Sequence, residues 1–98
     1  MQIKIHKSYR TVIAVCDSDL IGKKFEEGKR QLDIRENFYK DEEATEEEAI
    51  KLMQFQAVED ATFNIVGKES IMAAIKAGII TKSSVSKIKG IPFALVLI

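Results

Sequence analysis

The segment Gly67-Lys68-Glu69-Ser70 follows an apolar run and opens a helix-like stretch. Backbone amides at a helix start can bind an anion, and Lys68 would add positive charge. Gly67, Lys68 and Ser70 therefore form a candidate anion or nucleotide site. A complete phosphate loop also requires a glycine five residues before the Gly-Lys pair. That position is Thr62, so the motif fails, and an ordinary strand-to-helix turn is the simpler account, with incidental anion binding as the alternative. The single histidine, His6, and the single cysteine, Cys16, are the elements of a nucleophile–base pair. Strand alternation puts them on opposite faces, and no third group orients them. Asp17, Asp19 and Asp33 have the oxygen chemistry of a hard-cation site, but their contexts read as caps and turns. The acidic run 41–48 lacks calcium-loop spacing. No catalytic residue, metal site or cofactor is assigned, and a metabolic enzyme is the weaker class.

The denser signal is basic. Lys23-Lys24 and Lys29-Arg30 bracket Phe25, Glu26, Glu27 and Gly28. Lysines on glycine-flanked loops can approach a phosphate backbone, and Phe25 is positioned to stack on an unpaired base. In the competing reading Phe25 anchors a core and the lysines are merely solvated. Lys87 and Lys89 share one face of a strand by alternation and add to the positive set.

The chain has 98 residues, 31% charged and 46% hydrophobic, with 15 basic side chains balancing 15 acidic ones. Those figures describe one folded domain over residues 1–98 and exclude disorder and a generally basic binder. Neutrality is segregated. Residues 1–35 carry eight basic and five acidic side chains, residues 36–60 two and nine, and residues 61–98 five and one. If both terminal segments contribute to one sheet, the protein has a basic sheet side and an acidic helical side. A lone cysteine permits no internal disulfide. The N-terminus lacks the apolar core of a signal peptide, and the longest apolar stretch, 91–98, is far short of the about 20 residues that span a bilayer. These features imply a cytoplasmic protein without a membrane segment.

The elements that must position these residues follow from periodicity. Gln2 to Lys7 alternates, and Arg10 to Cys16 is a β-branched run suited to a strand buried on both faces; together they predict an antiparallel hairpin. Leu20 to Phe25 reads as a loop with at most one helical turn, and Arg30 to Ile34 as a third strand. Thr45-Glu46-Glu47-Glu48 is a capping box opening a helix over 46–57. Thr62 to Val66 is a short buried strand, followed by a helix over 68–77 with Gly78 at its C-terminal cap. Val85 to Lys89 and Phe93 to Leu97 close the sheet, with Gly90-Ile91-Pro92 as the turn or bulge between them. The expectation is an α+β domain: a mixed or mostly antiparallel sheet packed by two main helices.

Three blocks carry a resemblance over nearly the whole chain. They are Cys16-Asp17-Ser18-Asp19-Leu20-Ile21-Gly22-Lys23-Lys24-Phe25, Asn64-Ile65-Val66-Gly67-Lys68-Glu69, and the Gly90-Ile91-Pro92 turn. The sequence resembles an archaeal family of about 100-residue uncharacterised proteins, the domain of unknown function numbered four hundred and twenty-four. Its members are often labelled predicted RNA-binding. The resemblance implies an archaeal, cytosolic protein with a translation-related role and supplies no catalytic residues.

The leading expectation is thus an RNA- or ribosome-associated binding module using Lys23, Lys24, Phe25, Lys29, Arg30, Lys87 and Lys89. The acidic surface would then be free to meet a basic ribosomal protein. The second is a homo-oligomer that pairs through the apolar C-terminal strand, since an exposed edge of that kind invites another chain. The third is a small-anion or nucleotide binder at Gly67, Lys68 and Ser70.

Overall fold

The computed structural model describes residues 1–97. These residues form eight strands and three α-helices, with strands consecutive at both ends of the chain. Six strands form a mixed sheet: β1 (Gln2–His6), β2 (Val12–Cys16), β5 (Glu42–Glu43), β6 (Thr62–Val66), β7 (Ser86–Ile88) and β8 (Ile91–Val96), in the order β5-β1-β2-β6-β8-β7. Only β2 and β6 are parallel; every other pairing is antiparallel. That parallel pair is central, and its residues are Val-Ile-Ala-Val-Cys and Thr-Phe-Asn-Ile-Val. Such nearly unbroken β-branched and apolar runs belong to strands covered on both faces.

One face is covered by α2 (Glu46–Val58) and α3 (Lys68–Lys76). Ile3, Ile13, Val15, Phe63 and Ile65 pack there against Ala49, Met53, Ile71 and Ala74. The other face is covered less completely. A two-stranded hairpin of β3 (Lys24–Glu27) and β4 (Arg30–Asp33), with the single-turn helix α1 (Glu36–Tyr39), lies over Ala14, Cys16 and Val66. Ile34 and Tyr39 are the buried anchors of that second core.

The helix ends are set as the sequence requires. The Thr45 hydroxyl accepts from Glu48 N at 3.2 Å while Glu48 Oε1 accepts from Thr45 N at 2.9 Å, completing the capping box. At the end of α3, Ile79 N donates to Ala74 O and Gly78 N to Ile75 O. These two bonds make a Schellman motif with glycine at the position that favours a left-handed residue.

Four expectations change. Phe25 lies in a strand rather than a loop, because Gly28-Lys29 closes a two-residue turn that pairs Glu27 with Arg30. The β7–β8 turn falls at Lys89-Gly90, with φ of 52° and 76°, and joins Ile88 to Ile91. Two successive positive φ angles are what a tight hairpin of this twist demands. The strand assigned to 85–89 therefore stops at Ile88, and Lys89 belongs to the turn. Thirdly, α1 and β5 have no counterpart in the sequence reading. Lastly, charge is not divided between a sheet side and a helical side. The acidic residues Asp41, Glu42, Glu43 and Glu46 to Glu48 gather near the β5 edge, while Lys87 and Lys89 stand at the β7 edge. Among the described residues no helix is long and apolar enough to cross a membrane.

Candidate nucleic-acid interface

β2 and β6 run side by side in the same direction, with Cys16 opposite Val66. Their carboxyl ends therefore place Asp17 beside the turn that starts α3. Asp17, only 6% exposed, accepts from Glu69 N at 3.1 Å, Ser70 N at 2.8 Å and Ser70 Oγ at 2.8 Å. Gly67 at this turn has φ 107°, and a Cβ there would lie 2.3 Å from Asp17 Cγ. Glycine is thus required twice, for its dihedral and for the approach of the carboxylate. The helix-start amides proposed for an external anion are engaged by the protein's own anion. Gly67, Lys68 and Ser70 adjoin one another, but Gly67 and Ser70 are buried and Lys68 is exposed. Asp17 does act as a cap, as expected, yet of a helix some fifty residues away; Ser18–Leu20, the 3-10 turn it precedes, receives no side-chain cap bond from it.

His6 and Cys16 share a sheet face, contrary to the alternation argument, because β1 and β2 pair Gln2 with Cys16 and His6 with Val12. They remain apart because they sit four residues from each other along the hairpin, about 13 Å at strand spacing. His6 stacks on Phe38 at 4.4 Å and its Nε2 lies 2.8 Å from Phe38 O. Cys16 is fully buried, and desolvation with Asp17 nearby pushes its thiol up to about 12. No cluster of His, Cys, Asp and Glu suited to a metal is present among the described residues.

The basic residues divide into three groups. The β3–β4 hairpin packs beside β7, and Glu27 Oε1 accepts from Lys89 N at 2.8 Å. The Arg30 guanidinium lies 5.8 Å from the centre of the Phe93 ring on β8. These contacts tie the tip of one hairpin to the tip of the other and bring Lys29, Arg30 and Lys89 together, all exposed. Lys23 and Lys24 are at the far end of β3, where Lys24 pairs with Glu26 at 3.7 Å. Lys87 pairs with Pro92 and, with it, lines a groove against α3. That groove, about 460 Å³, is lined by Ile71, Met72 and Val85 with Lys68, Lys82 and Lys87. Lys87 and Lys89 therefore do not share a face. Phe25 is half-buried, opposite Leu32, and packs on the second core rather than standing free.

Sequence reasoning missed the grouping of Lys68 and Lys82 with Lys87. It also missed Asn64, which β-sheet register puts opposite Ala14 on one side and Leu95 on the other. Asn64 was visible in the sequence as the one amide inside an apolar strand. The C-terminal strand is interior at its start, where β7 pairs with Ile91 to Phe93. Beyond that, Ala94 to Val96 has β6 on one side and no strand on the other among the described residues. Ile98, the last residue of the apolar run, lies outside the described residues.

A crystal structure of an uncharacterised conserved protein from Methanopyrus kandleri has the same fold, with a TM-score of 0.87 and 24% identity over 97% of this chain and 88% of that one. No curated protein matches the sequence. The family model described as "Protein of unknown function (DUF424)" matches residues 5–98, nearly the whole chain, and the protein belongs to that family.

Proposed function

We propose that this protein is a non-catalytic RNA-binding module, RNA- or ribosome-associated and acting in the cytoplasm of an archaeal cell. Lys29, Arg30 and Lys89 contact phosphates from the joined hairpin tips, and Lys23 and Lys24 extend the track along β3. The observation that carries this reading is the hydrogen bond from Lys89 N to the Glu27 carboxylate at 2.8 Å. It draws basic residues from two distant segments into one exposed group without using their own charges. Preorganised cations lose less freedom on meeting a phosphate backbone than lysines scattered on separate loops. The acidic β5 edge is complementary to a basic ribosomal protein.

The test is a fluorescence-anisotropy titration with structured RNA at low and moderate salt. Replacing Lys29, Arg30 and Lys89 by alanine weakens binding at least tenfold, and Lys23 with Lys24 less. Equal affinity of wild type and triple variant, or no binding at low salt, ends this reading.

A second reading has its own observation. Among the described residues no strand pairs with the outer edge of Ala94 to Val96, which carries exposed Leu95 and leads to exposed Leu97, a geometry that suits pairing with a second copy. Light scattering that reports a strict monomer at high concentration removes it.

A further inference from the structure

Asn64 is the residue that the fold and the core leave unexplained. It lies in the middle of β6 between Phe63 and Ile65, both essentially buried. Asparagine is among the residues that strands disfavour, and a packed sheet interior would take a β-branched side chain there. Its side-chain carboxamide has no hydrogen-bond partner among the described residues; the residue is half-buried, and the carboxamide itself opens to solvent. The reason it can stand there is the incomplete cover of this sheet face. The hairpin and α1 roof over Ala14, Cys16, Val66 and Phe93, but farther along the same row, where Ala14, Asn64 and Leu95 lie side by side, they leave Asn64 half-buried and Leu95 exposed.

The gap is a cleft of about 200 Å³ whose walls are Leu32, Tyr39, Phe93 and Leu95, with Asn64 at its floor. Leu95 is 57% exposed although apolar. Arg30, one of the proposed phosphate contacts, lies beside Phe93 at the same wall. An apolar cleft with one carboxamide and a neighbouring guanidinium has the chemistry that holds a planar heterocycle. The carboxamide offers a donor and an acceptor side by side, as the edge of a base does. A base filling the cleft displaces water from its apolar walls, so a hydrogen bond formed there meets less solvent competition.

The geometry points to a base-reading slot: one unpaired nucleobase enters between Leu32 and Leu95, and the Asn64 carboxamide bonds to its edge. This rests on the RNA-binding reading and adds to it a site of specificity, where Lys29, Arg30 and Lys89 supply only affinity. No covalent step is involved.

The experiment uses the full chain, labelled with nitrogen-15 and titrated with each of the four nucleoside 5′-monophosphates at millimolar concentration. Expected is a saturable shift of the Asn64 side-chain amide with at least one of them and none with ribose 5-phosphate. Asn64→Leu, followed instead at the backbone amides of residues 63–66 and 93–95, loses that preference by about tenfold, the discrimination a good amide–base pair carries. Asn64→Thr suits the strand but lacks the carboxamide, and it loses the preference equally, which separates recognition from folding. No shift with any monophosphate, or an undiminished preference in both variants, overturns the slot. The two readings fail separately. If the Lys29, Arg30 and Lys89 variant binds RNA as wild type does while the Asn64 amide still responds to a monophosphate, the phosphate surface is wrong and the slot stands. If RNA binding needs those three residues but no monophosphate reaches Asn64, the slot is wrong and the surface stands.

Discussion

The Asp17 carboxylate lies 2.8 Å from Ser70 N, fifty-three positions later in the chain, and closes the first turn of α3 from outside that helix. This bond, with those to Glu69 N and Ser70 Oγ, fastens the end of β2 to the start of the segment after β6. It satisfies buried donors that no local side chain reaches, since Gly67 is the cap residue of α3 and has none to offer.

Asp17→Ala is therefore expected to destabilise the fold by about 2–4 kcal/mol. The figure combines the loss of a cap, about 1 kcal/mol, with the cost of leaving donors buried and unmatched. Asp17→Asn keeps one acceptor oxygen and is expected to cost about half as much. Urea denaturation followed by circular dichroism measures both. A loss below 0.5 kcal/mol for Asp17→Ala, itself about the bottom of the range for any cap, contradicts the role.

Gly67→Ala meets two obstacles, the positive φ and the carboxylate 2.3 Å from the new Cβ. An expected cost of about 2–4 kcal/mol follows from strain plus displacement of Asp17. Gly28→Ala, at a turn where a Cβ meets nothing within 4 Å, is expected to cost only about 1 kcal/mol. In an Asp17→Ala background the clash at Gly67 disappears. The double variant is then less destabilised than the sum of the two singles, by about 1 kcal/mol or more. Strict additivity in the denaturation cycle contradicts the contact.

What could be read without the structure was local. The Thr45–Glu48 capping box, the strand at Thr62–Val66 and the glycine after α3 each declare themselves within a few residues, and all are as read. β3 did not, because Lys24-Phe25-Glu26-Glu27 offers a single apolar residue and so no period. β5 did not, because two glutamates become a strand only by pairing with Gln2 and Ile3. The same holds for the functional surface. Lys23, Lys24, Lys29 and Arg30 stand out as basic, but which of them meets Lys89 depends on how the β3–β4 hairpin docks. The facing of Lys87 hung on one residue of turn position, since a strand reverses its sides with each step. Asp17 was legible as a cap, but the adjacency of β2 and β6 that decides what it caps is a property of topology.

Stability is expected to fall in alkali for reasons located at the second core. Burial raises the Cys16 thiol from 9.0 to about 12. It raises the Tyr39 hydroxyl from 10.0 to about 12. Both groups hold their protons more tightly folded than unfolded, so their contribution is complete below pH 9 and is lost as pH climbs towards 12. The two together amount to about 3–4 kcal/mol lost by pH 11. Thermal unfolding between pH 7 and 11 reads this directly, and Cys16→Ala with Tyr39→Phe flattens the decline. An equally steep decline in that double variant rules the two groups out as its cause.

Glu27 provides the sharpest division between the fold and the proposed interface. Its carboxylate is exposed and holds a backbone amide of the neighbouring hairpin, so Glu27→Ala is expected to cost under about 1 kcal/mol of stability. The same change releases Lys89 from Lys29 and Arg30 and also removes a negative charge from the basic group. A purely electrostatic surface would bind RNA more tightly for the lost carboxylate, whereas a preorganised one binds more weakly. The expectation is weaker binding, with the salt dependence reduced by about one phosphate contact, a change of about 0.7–0.9 in the slope of log affinity against log salt. Replacing Lys29, Arg30 and Lys89 together lowers the slope by about two to three. Glu27→Gln leaves the oxygen acceptor and removes the charge, so it preserves the wild-type slope if the bond to Lys89 N is what counts. Tighter binding by Glu27→Ala, with an unchanged slope, means that the two hairpin tips need not be joined for RNA to bind.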